Sequence, residues 1–223
     1  MNLSAARKYR KSHRFWRDLF TDNPALILGV ELPFVIVCAY LLRNAVALSV
    51  MMLIIHMVTV TIGRMFTLNL PMWKRSAINV TVSTVMMLVS REIVILMFST
   101  TIMNSVGIYL YLMAVNGLTL IQSTYREGPR SFAPIVARSF IEVVAFAGLM
   151  LVISFVREYL GNGTLWGIPM PIPFRQTGIL YPFYGFIFTG FLLAFMRRIN
   201  KLMLAMRINA SERKNDLAFS AEK

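Results

Sequence analysis

Long apolar runs separated by short polar segments dominate the chain. A helix needs about 20 mainly apolar residues to cross the hydrocarbon core of a bilayer. Four runs come close to that length, at residues 25–42, 45–62, 106–121 and 180–196. Two further runs, 77–98 and 135–156, are equally long but contain charged residues. The pattern predicts an all-α integral membrane protein with six transmembrane helices.

The two charged pairs inside these runs have different spacings. Arg91 and Glu92 are neighbours and interrupt the third predicted span, which predicts a helix end or a break there. Arg138 and Glu142 stand at i and i+4, on one face of the fifth predicted helix. This spacing favours an ion pair that satisfies both charges over a role in ion relay.

The charges concentrate at the two ends of the chain. Lys and Arg number 23 against 10 Asp and Glu, which gives a net charge of +13, and six basic residues precede Thr21 while seven follow from Arg197 onward. An even number of spans places both termini on one side, and basic ends predict that this side is the cytoplasm. Because the basic residues flank apolar runs instead of covering a soluble face, nucleic-acid binding is not expected.

The predicted organisation has three parts. Residues 1–21 alternate basic and aromatic side chains, which is typical of an interfacial helix on anionic lipid, although a solvated positive tail is equally consistent with them. Residues 22–199 contain the six predicted spans. Residues 200–223 form a basic cytoplasmic tail.

Ionisable residues inside spans are candidates for function because placing them in a membrane is costly. Glu31 lies between Gly29 and Pro33, where a broken helix would bring backbone groups and a carboxylate together, as at transporter ion sites. The alternative is a hydrated or arginine-paired position near the interface. His56 is a lone mid-span histidine, which favours a hydrogen bond in helix packing over metal ligation. Cys38 is expected to be a small buried side chain.

Cysteine count and motifs narrow the chemistry further. One cysteine excludes an internal disulfide, a cysteine-only zinc site and an iron–sulfur cluster held by this chain alone. No Walker A loop, dinucleotide-binding glycine pattern or nucleophile elbow is present in the sequence. Soluble nucleotide chemistry by this chain alone is therefore not expected. Residues 157–167 contain three glycines and predict a tight external loop after a helix end.

Three segments together resemble a known family. They are Asp-Asn-Pro-Ala-Leu-Ile-Leu-Gly at 22–29, Ala-Val-Asn-Gly-Leu at 114–118, and Val-Arg-Glu-Tyr-Leu-Gly-Asn-Gly-Thr-Leu-Trp-Gly at 156–167. The chain resembles the small membrane subunits of the Rnf and Na⁺-translocating NADH:quinone reductase (Nqr) complexes, most closely the E-type subunit of Rnf and the D-type subunit of Nqr. The similarity covers roughly residues 15–204.

The resemblance implies a fold, a partner and a location. It implies six helices arranged as two three-helix repeats of inverted topology, in a bacterial-type plasma (inner) membrane. It also implies a paralogous subunit in the opposite orientation. In the family, each of the two subunits gives two cysteines to a shared [2Fe–2S] cluster, through which electrons pass while Na⁺ or H⁺ moves.

The chain departs from the family pattern at the cluster. Glu31 and Gly117 stand where the family has its cysteines, and Gln122 replaces a basic residue. We therefore expect no cofactor on this chain alone, with flavin or iron–sulfur groups on partner subunits. The motif residues that match are expected to be structural, namely Gly29, Asn116, Arg157, Glu158, Gly161 and Gly163.

Three functional hypotheses follow. The first is a membrane subunit of an electron-transport, ion-translocating complex that has no catalytic residue of its own, with Glu31 and Glu142 as candidates for an ion or proton path. The second is a stand-alone transporter of a small molecule or ion that reuses the inverted-repeat fold, since a fold does not fix a function. The third is a purely structural assembly factor, which predicts no cofactor, no ion flux and loss of complex assembly on deletion.

Overall fold

The computed structural model describes residues 34–66, 70–107, 109–124, 132–171 and 175–221, and these residues are helical apart from one small hairpin. A π-helix at Phe34–Cys38 precedes five α-helices in the first half of the described chain. These are α1 (Leu42–Phe66), α2 (Met72–Phe98), α3 (Thr100–Val106), α4 (Tyr109–Leu112) and α5 (Gly117–Thr124). A 3₁₀ turn, Met113–Val115, joins α4 to the break before α5.

The second half begins with the long helix α6 (Phe132–Arg157), which continues into a π-helix at Glu158–Asn162. Strands β1 (Thr164–Leu165) and β2 (Ile168–Pro169) then form an antiparallel hairpin, with Thr164 opposite Pro169. A 3₁₀ helix, Thr177–Leu180, leads to α7 (Pro182–Ala221).

Three helical segments are long and apolar enough to cross a membrane: Leu42–Phe66, Met72–Phe98 and Phe132–Asn162. They contain the predicted spans 45–62, 77–98 and 135–156, which confirms these three as membrane-crossing candidates. The protein is therefore a multi-pass, mainly helical membrane protein.

The predicted span 106–121 is interrupted in the structure. The segments Thr100–Val106 and Tyr109–Ile121 meet at a bend of 80° and make a fourth span only if the bent pair is counted as one. Gly107 has a φ of +58°, a left-handed conformation in which a right-handed helix stops. A second interruption follows at Asn116, whose φ of −82° and ψ of 146° are extended.

The predicted helix end or break at Arg91 and Glu92 is also wrong, because α2 runs through both residues without interruption. The Arg91 Nη1 atom lies 2.6 Å from the Glu92 Oε1 atom. The two charges satisfy each other on the helix surface, so neither has to find a partner by opening the backbone. The helix ends only at Ser99, where φ reaches 132°.

The first predicted span lies mostly outside the described residues, whereas the sixth lies within them. Most of the predicted span 25–42 and the segment 1–21 fall outside them. The described part of the first span is the π-helix Phe34–Cys38, after which the chain turns before α1 begins at Leu42. The sixth predicted span, 180–196, lies mostly at the start of α7 and is not among the described helices that are long and apolar enough to cross a membrane. Helix α7 continues past Arg197 into the predicted tail.

Helix α1 packs against both α2 and α6 and supplies much of the buried core. Leu48, Met51, Met52 and Ile55 of α1 are at most 1% exposed. The Ser49 Oγ atom lies 3.8 Å from the Sδ atom of Met150 on α6. The same buried sides of α1 carry Asn44, His56 and Thr59, which places polar side chains inside an otherwise apolar bundle.

Candidate functional site

The first feature of interest is an interruption of the helical chain between Cys38 and Leu42, called here the first break. Arg157, the last residue of α6, is 2% exposed and donates hydrogen bonds to the carbonyl oxygens of Ile36 and Ala39. These carbonyls lie at the end of the first π-helix. Carbonyls at helix ends lack intrahelical donors and carry partial negative charge, which a guanidinium group neutralises.

The same guanidinium also reaches the loop before α7. Its Nη2 atom lies 2.6 Å from the carbonyl oxygen of Leu180, and its Nε atom lies 3.3 Å from that of Ile179. Arg157 therefore joins the end of one helical segment to the 3₁₀ helix that precedes another. A fixed planar fork of donors suits this task better than the point charge of a lysine.

Glu158, the next residue, holds the other side of the first break. Its Oε2 atom accepts a hydrogen bond of 2.6 Å from the backbone N–H of Leu42, the residue at which α1 begins. Its Oε1 atom accepts bonds from the N–H of Gly167 and the hydroxyl of Thr164, at 3.1 and 3.2 Å. A carboxylate is favourable at a helix N-terminus because the exposed N–H groups there carry partial positive charge.

Two glycines of the segment 157–167 allow Arg157 and Glu158 to reach their hydrogen-bond partners. A Cβ atom on Gly161 would lie 2.7 Å from Cγ of Leu180, so the π-helix can approach the 3₁₀ helix only with glycine here. Gly163 ends the π-helix with a φ of +66°, which L side chains rarely adopt. Arg157 and Glu158, with the groups they bond, form what we call the Arg157–Glu158 junction.

The second break lies at Asn116, between the 3₁₀ turn and α5. Its side chain is fully buried and bonds on both sides of the break. The Nδ2 atom donates to the carbonyl oxygen of Met113 at 3.0 Å, and the Oδ1 atom accepts from the N–H of Thr119 at 2.7 Å. This is the N-cap arrangement. Gly117, the first residue of α5, follows directly and carries no side chain.

A chain of polar side chains crosses the bundle beside the second break. The His56 Nδ1 atom of α1 lies 3.4 Å from the Thr119 hydroxyl of α5, and His56 Nε2 lies 3.9 Å from Oε2 of Glu142 on α6. Glu142 Oε1 lies 3.1 Å from Nε of Arg138. The Thr119 contact confirms the predicted hydrogen bond of His56 in helix packing, and the Arg138 contact confirms the predicted i, i+4 pair.

Sequence reasoning missed that His56 and Glu142 are neighbours. They are far apart along the chain, and only the antiparallel packing of α1 on α6 brings them together. One signal was available, because two ionisable residues near the middle of separate apolar spans tend to pair with each other.

The other sequence candidates are placed as follows. Glu31 and Gly29 lie outside the described residues. Cys38 is 1% exposed within the hydrophobic core, as expected of a small buried side chain. Among the described residues, no three His, Cys, Asp or Glu side chains come together as a metal site would require.

Comparison with known proteins gives one result. A family model described as "Rnf-Nqr subunit, membrane protein" matches residues 12–199. No curated protein matches the chain.

Proposed function

Since the chain belongs to the Rnf-Nqr family of membrane subunits, we propose that it acts in an Rnf/Nqr-like complex that couples electron transport to ion translocation, and that it does so without a [2Fe–2S] cluster of its own. Family membership identifies a membrane subunit of such a complex. The lack of a cluster and the ion movement are the proposed parts.

One observation carries the proposal: the second break is kept while the cluster ligand beside it is lost. Asn116 still caps α5 with bonds on both of its sides. Gly117, at the position that matches a family cysteine, has no side chain with which to bind a metal. Such clusters are held by thiolates, and Cys38 is the chain's one thiol. The residues present therefore do not fit the cluster, and no electron-transfer step is assigned to them.

The proposed architecture has six helices in two inverted repeats, with both termini in the cytoplasm of a cell with a bacterial-type inner membrane. It rests on the six apolar runs of the sequence and on the resemblance to the family. The proposed partners are a paralogous membrane subunit in the opposite orientation and further subunits that carry flavin or iron–sulfur groups.

The proposed ion or proton path includes Glu31 and Glu142. Glu142 is 2% exposed and lies in the interior of the bundle. We expect Glu31→Gln to reduce ion transport coupled to electron flow while the complex still assembles. The matched control is Glu92→Gln on the exposed surface of α2, for which transport should be unchanged. Equal transport by the Glu31 variant and the wild type would remove Glu31 from the path.

The test of the whole proposal is copurification from native membranes in a mild detergent, with partner identification, absorption spectroscopy and iron analysis on one sample. Companions that bear flavin or iron–sulfur groups are expected. After separation from these companions, the chain itself should contain no stoichiometric iron. A colourless protein that purifies alone would contradict the proposal and favour the stand-alone transporter.

A further inference from the structure

Two ionisable side chains face each other in the interior of the bundle, beside the second break. His56 is fully buried and Glu142 is 2% exposed. Both lie near the middle of their helices, α1 and α6. Burial of charged groups is costly unless they are paired or neutral, so ionisable side chains inside a membrane are candidates for function.

We propose that His56, Glu142 and Arg138 form a proton-binding triad at the middle of the membrane, in which one proton binds between His56 Nε2 and Glu142 Oε2. The bound proton makes the imidazole cationic, and the carboxylate neutralises it. Release returns the proton to water and leaves a neutral imidazole. Use of the proton in ion translocation rests on the proposed function, whereas the proton site itself does not.

The donor set favours a proton over Na⁺. One oxygen of Glu142 is held by Arg138 at 3.1 Å, and the other faces a ring nitrogen of His56. Hard cations such as Na⁺ prefer several oxygen ligands and are repelled by a guanidinium group bound to the same carboxylate. A proton needs only one lone pair, which the neutral imidazole supplies.

The geometry is suited to uptake and release. The 3.9 Å between Nε2 and Oε2 is longer than a hydrogen bond, so one water molecule or a small ring movement closes the gap. The Nδ1 atom is 3.4 Å from the Thr119 hydroxyl, which directs Nε2 towards Glu142. Among the described residues, Nε2 has no hydrogen-bond partner, so its lone pair is available to a proton.

A row of buried polar atoms leads from this site towards the end of α1 that bears Arg64. Thr59 Oγ1, Ser83 Oγ and Asn79 Oδ1 are buried and have no hydrogen-bond partner in the part of the chain that the structure describes. Gly63 packs against Asn79, and one turn closer to His56 the antiparallel pair places Thr59 level with Ser83. Buried polar atoms of this kind are commonly satisfied by internal water, which conducts protons.

Few other charges face the triad from the described elements packed on α1. Helix α2 supplies Arg75 near its start, and α1 supplies Arg64 two turns beyond His56. Helix α5 presents Thr119, and α3 carries no ionisable side chain. The first π-helix carries Cys38. Arg91 and Glu92 pair with each other on the outer side of α2. The triad therefore pairs one titratable base with one anion and one cation.

The chain allows a direct test because it contains two histidines, His13 and His56. The full chain is labelled with ¹⁵N-histidine, placed in lipid nanodiscs and measured by ¹⁵N NMR at pH 8 and pH 5. The variant His13→Gln identifies the His56 signals. We expect neutral imidazole signals of His56 at pH 8 and imidazolium signals at pH 5.

Variants of the two partners separate the proposed role from a structural one. In Glu142→Gln the imidazolium signal at pH 5 should be lost, because the counter-charge is gone. In Arg138→Gln, which also breaks the ion pair, the signal should remain because the carboxylate still faces His56. Glu92→Gln should behave as the wild type. Circular dichroism shows whether each variant is folded.

Two results would overturn the proposal: a His56 that stays neutral at pH 5 in the wild type, or one that is protonated equally in Glu142→Gln. Because the measurement needs no redox partner, it is independent of copurification. If the chain purifies alone but His56 is protonated at pH 5, the triad is supported and the proposed complex is contradicted. If the chain purifies with redox companions but His56 stays neutral at pH 5, the complex is supported and the triad is contradicted.

Discussion

The two breaks solve the same problem with different chemistry. Each interrupts helical hydrogen bonding inside a membrane protein, where an unsatisfied backbone group costs several kcal/mol. The first break is held by two charged residues of another part of the chain, Arg157 and Glu158. The second is held by the neutral side chain of Asn116, which bonds three residues back and three residues forward.

The difference shows how local each break is. Asn116 completes the second break within one turn on either side, so that break is a property of a short peptide segment. The first break needs partners more than 100 residues away along the sequence. It is a tertiary contact that also fixes the loop before α7. Charges are suitable there because their hydrogen bonds are roughly twice as strong as neutral ones.

The largest effect is expected for Arg157→Met, which keeps bulk but leaves carbonyls at two helix ends without a donor. Removing one partner from a buried charged arrangement costs about 3–5 kcal/mol. The Tm in detergent and the monodisperse fraction in size-exclusion chromatography measure the loss. The exposed Arg175→Met is the control, with little change expected. If Arg157→Met lowers the Tm by less than Asn116→Ala does, the first break does not depend on its distant partners more than the second depends on its local cap.

A smaller loss is expected for Glu158→Ala, which removes three acceptor contacts of a buried carboxylate but leaves a polar cavity that water can fill. Each hydrogen bond to a charged group is worth about 1.5–3 kcal/mol, and because water replaces most of the three acceptors, the net loss should be about 2 kcal/mol. Glu158→Gln should fall between this variant and the wild type in Tm. Glu92→Ala is the matched control. Equal Tm values for Glu158→Ala and the control would show that the N-terminus of α1 needs no carboxylate.

Next comes Gly161→Ala, whose added Cβ would lie 2.7 Å from Cγ of Leu180. Overpacking of this type costs about 1–3 kcal/mol, and a leucine side chain can move, which favours the lower end. Gly148→Ala on α6 is the control, because nothing lies within 4 Å of its added Cβ.

Relief of the same clash provides a second check. Leu180→Ala combined with Gly161→Ala should destabilise the protein by less than the sum of the single changes, as measured by a double-mutant cycle. Strict additivity would mean that the two residues do not limit each other's approach.

The smallest effect is expected for Asn116→Ala, which removes an N-cap worth about 1 kcal/mol. Asn116→Ser should recover part of the loss in Tm, because serine also caps helices but cannot donate to Met113 in the same way. The exposed Asn104→Ala is the control. A loss as large as that of Arg157→Met would show that the second break also depends on distant contacts.

The apolar pattern was sufficient to predict α1, α2 and α6, because a long apolar run that crosses a membrane has to satisfy its backbone hydrogen bonds within a helix. It did not predict the interruptions within 106–121, because the average hydropathy hides the left-handed Gly107 and the extended Asn116. It failed at Arg91 and Glu92 for the opposite reason. Adjacent opposite charges neutralise each other on a helix surface, so a charged position in a span does not imply a break.

The candidate sites were predictable in part. The spacing of Arg138 and Glu142 gave their pairing directly, because helical neighbours follow from sequence separation. The approach of His56 to Glu142 depends on how α1 and α6 pack, and no local pattern contains that information. For Arg157 and Glu158, the motif marked the residues, but their carbonyl and N–H partners at 36–42 became visible only in the fold.

The distance along the chain between the first break and its supports also has a consequence for biosynthesis. A ribosome adds about 5–20 residues per second, so Leu42 waits roughly 6–23 s before Glu158, 116 residues later, has been made. During that interval the start of α1 lacks its carboxylate, and the carbonyls of Ile36 and Ala39 lack their guanidinium. The hydrogen bonds of the first break are therefore completed only after translation has passed residue 158.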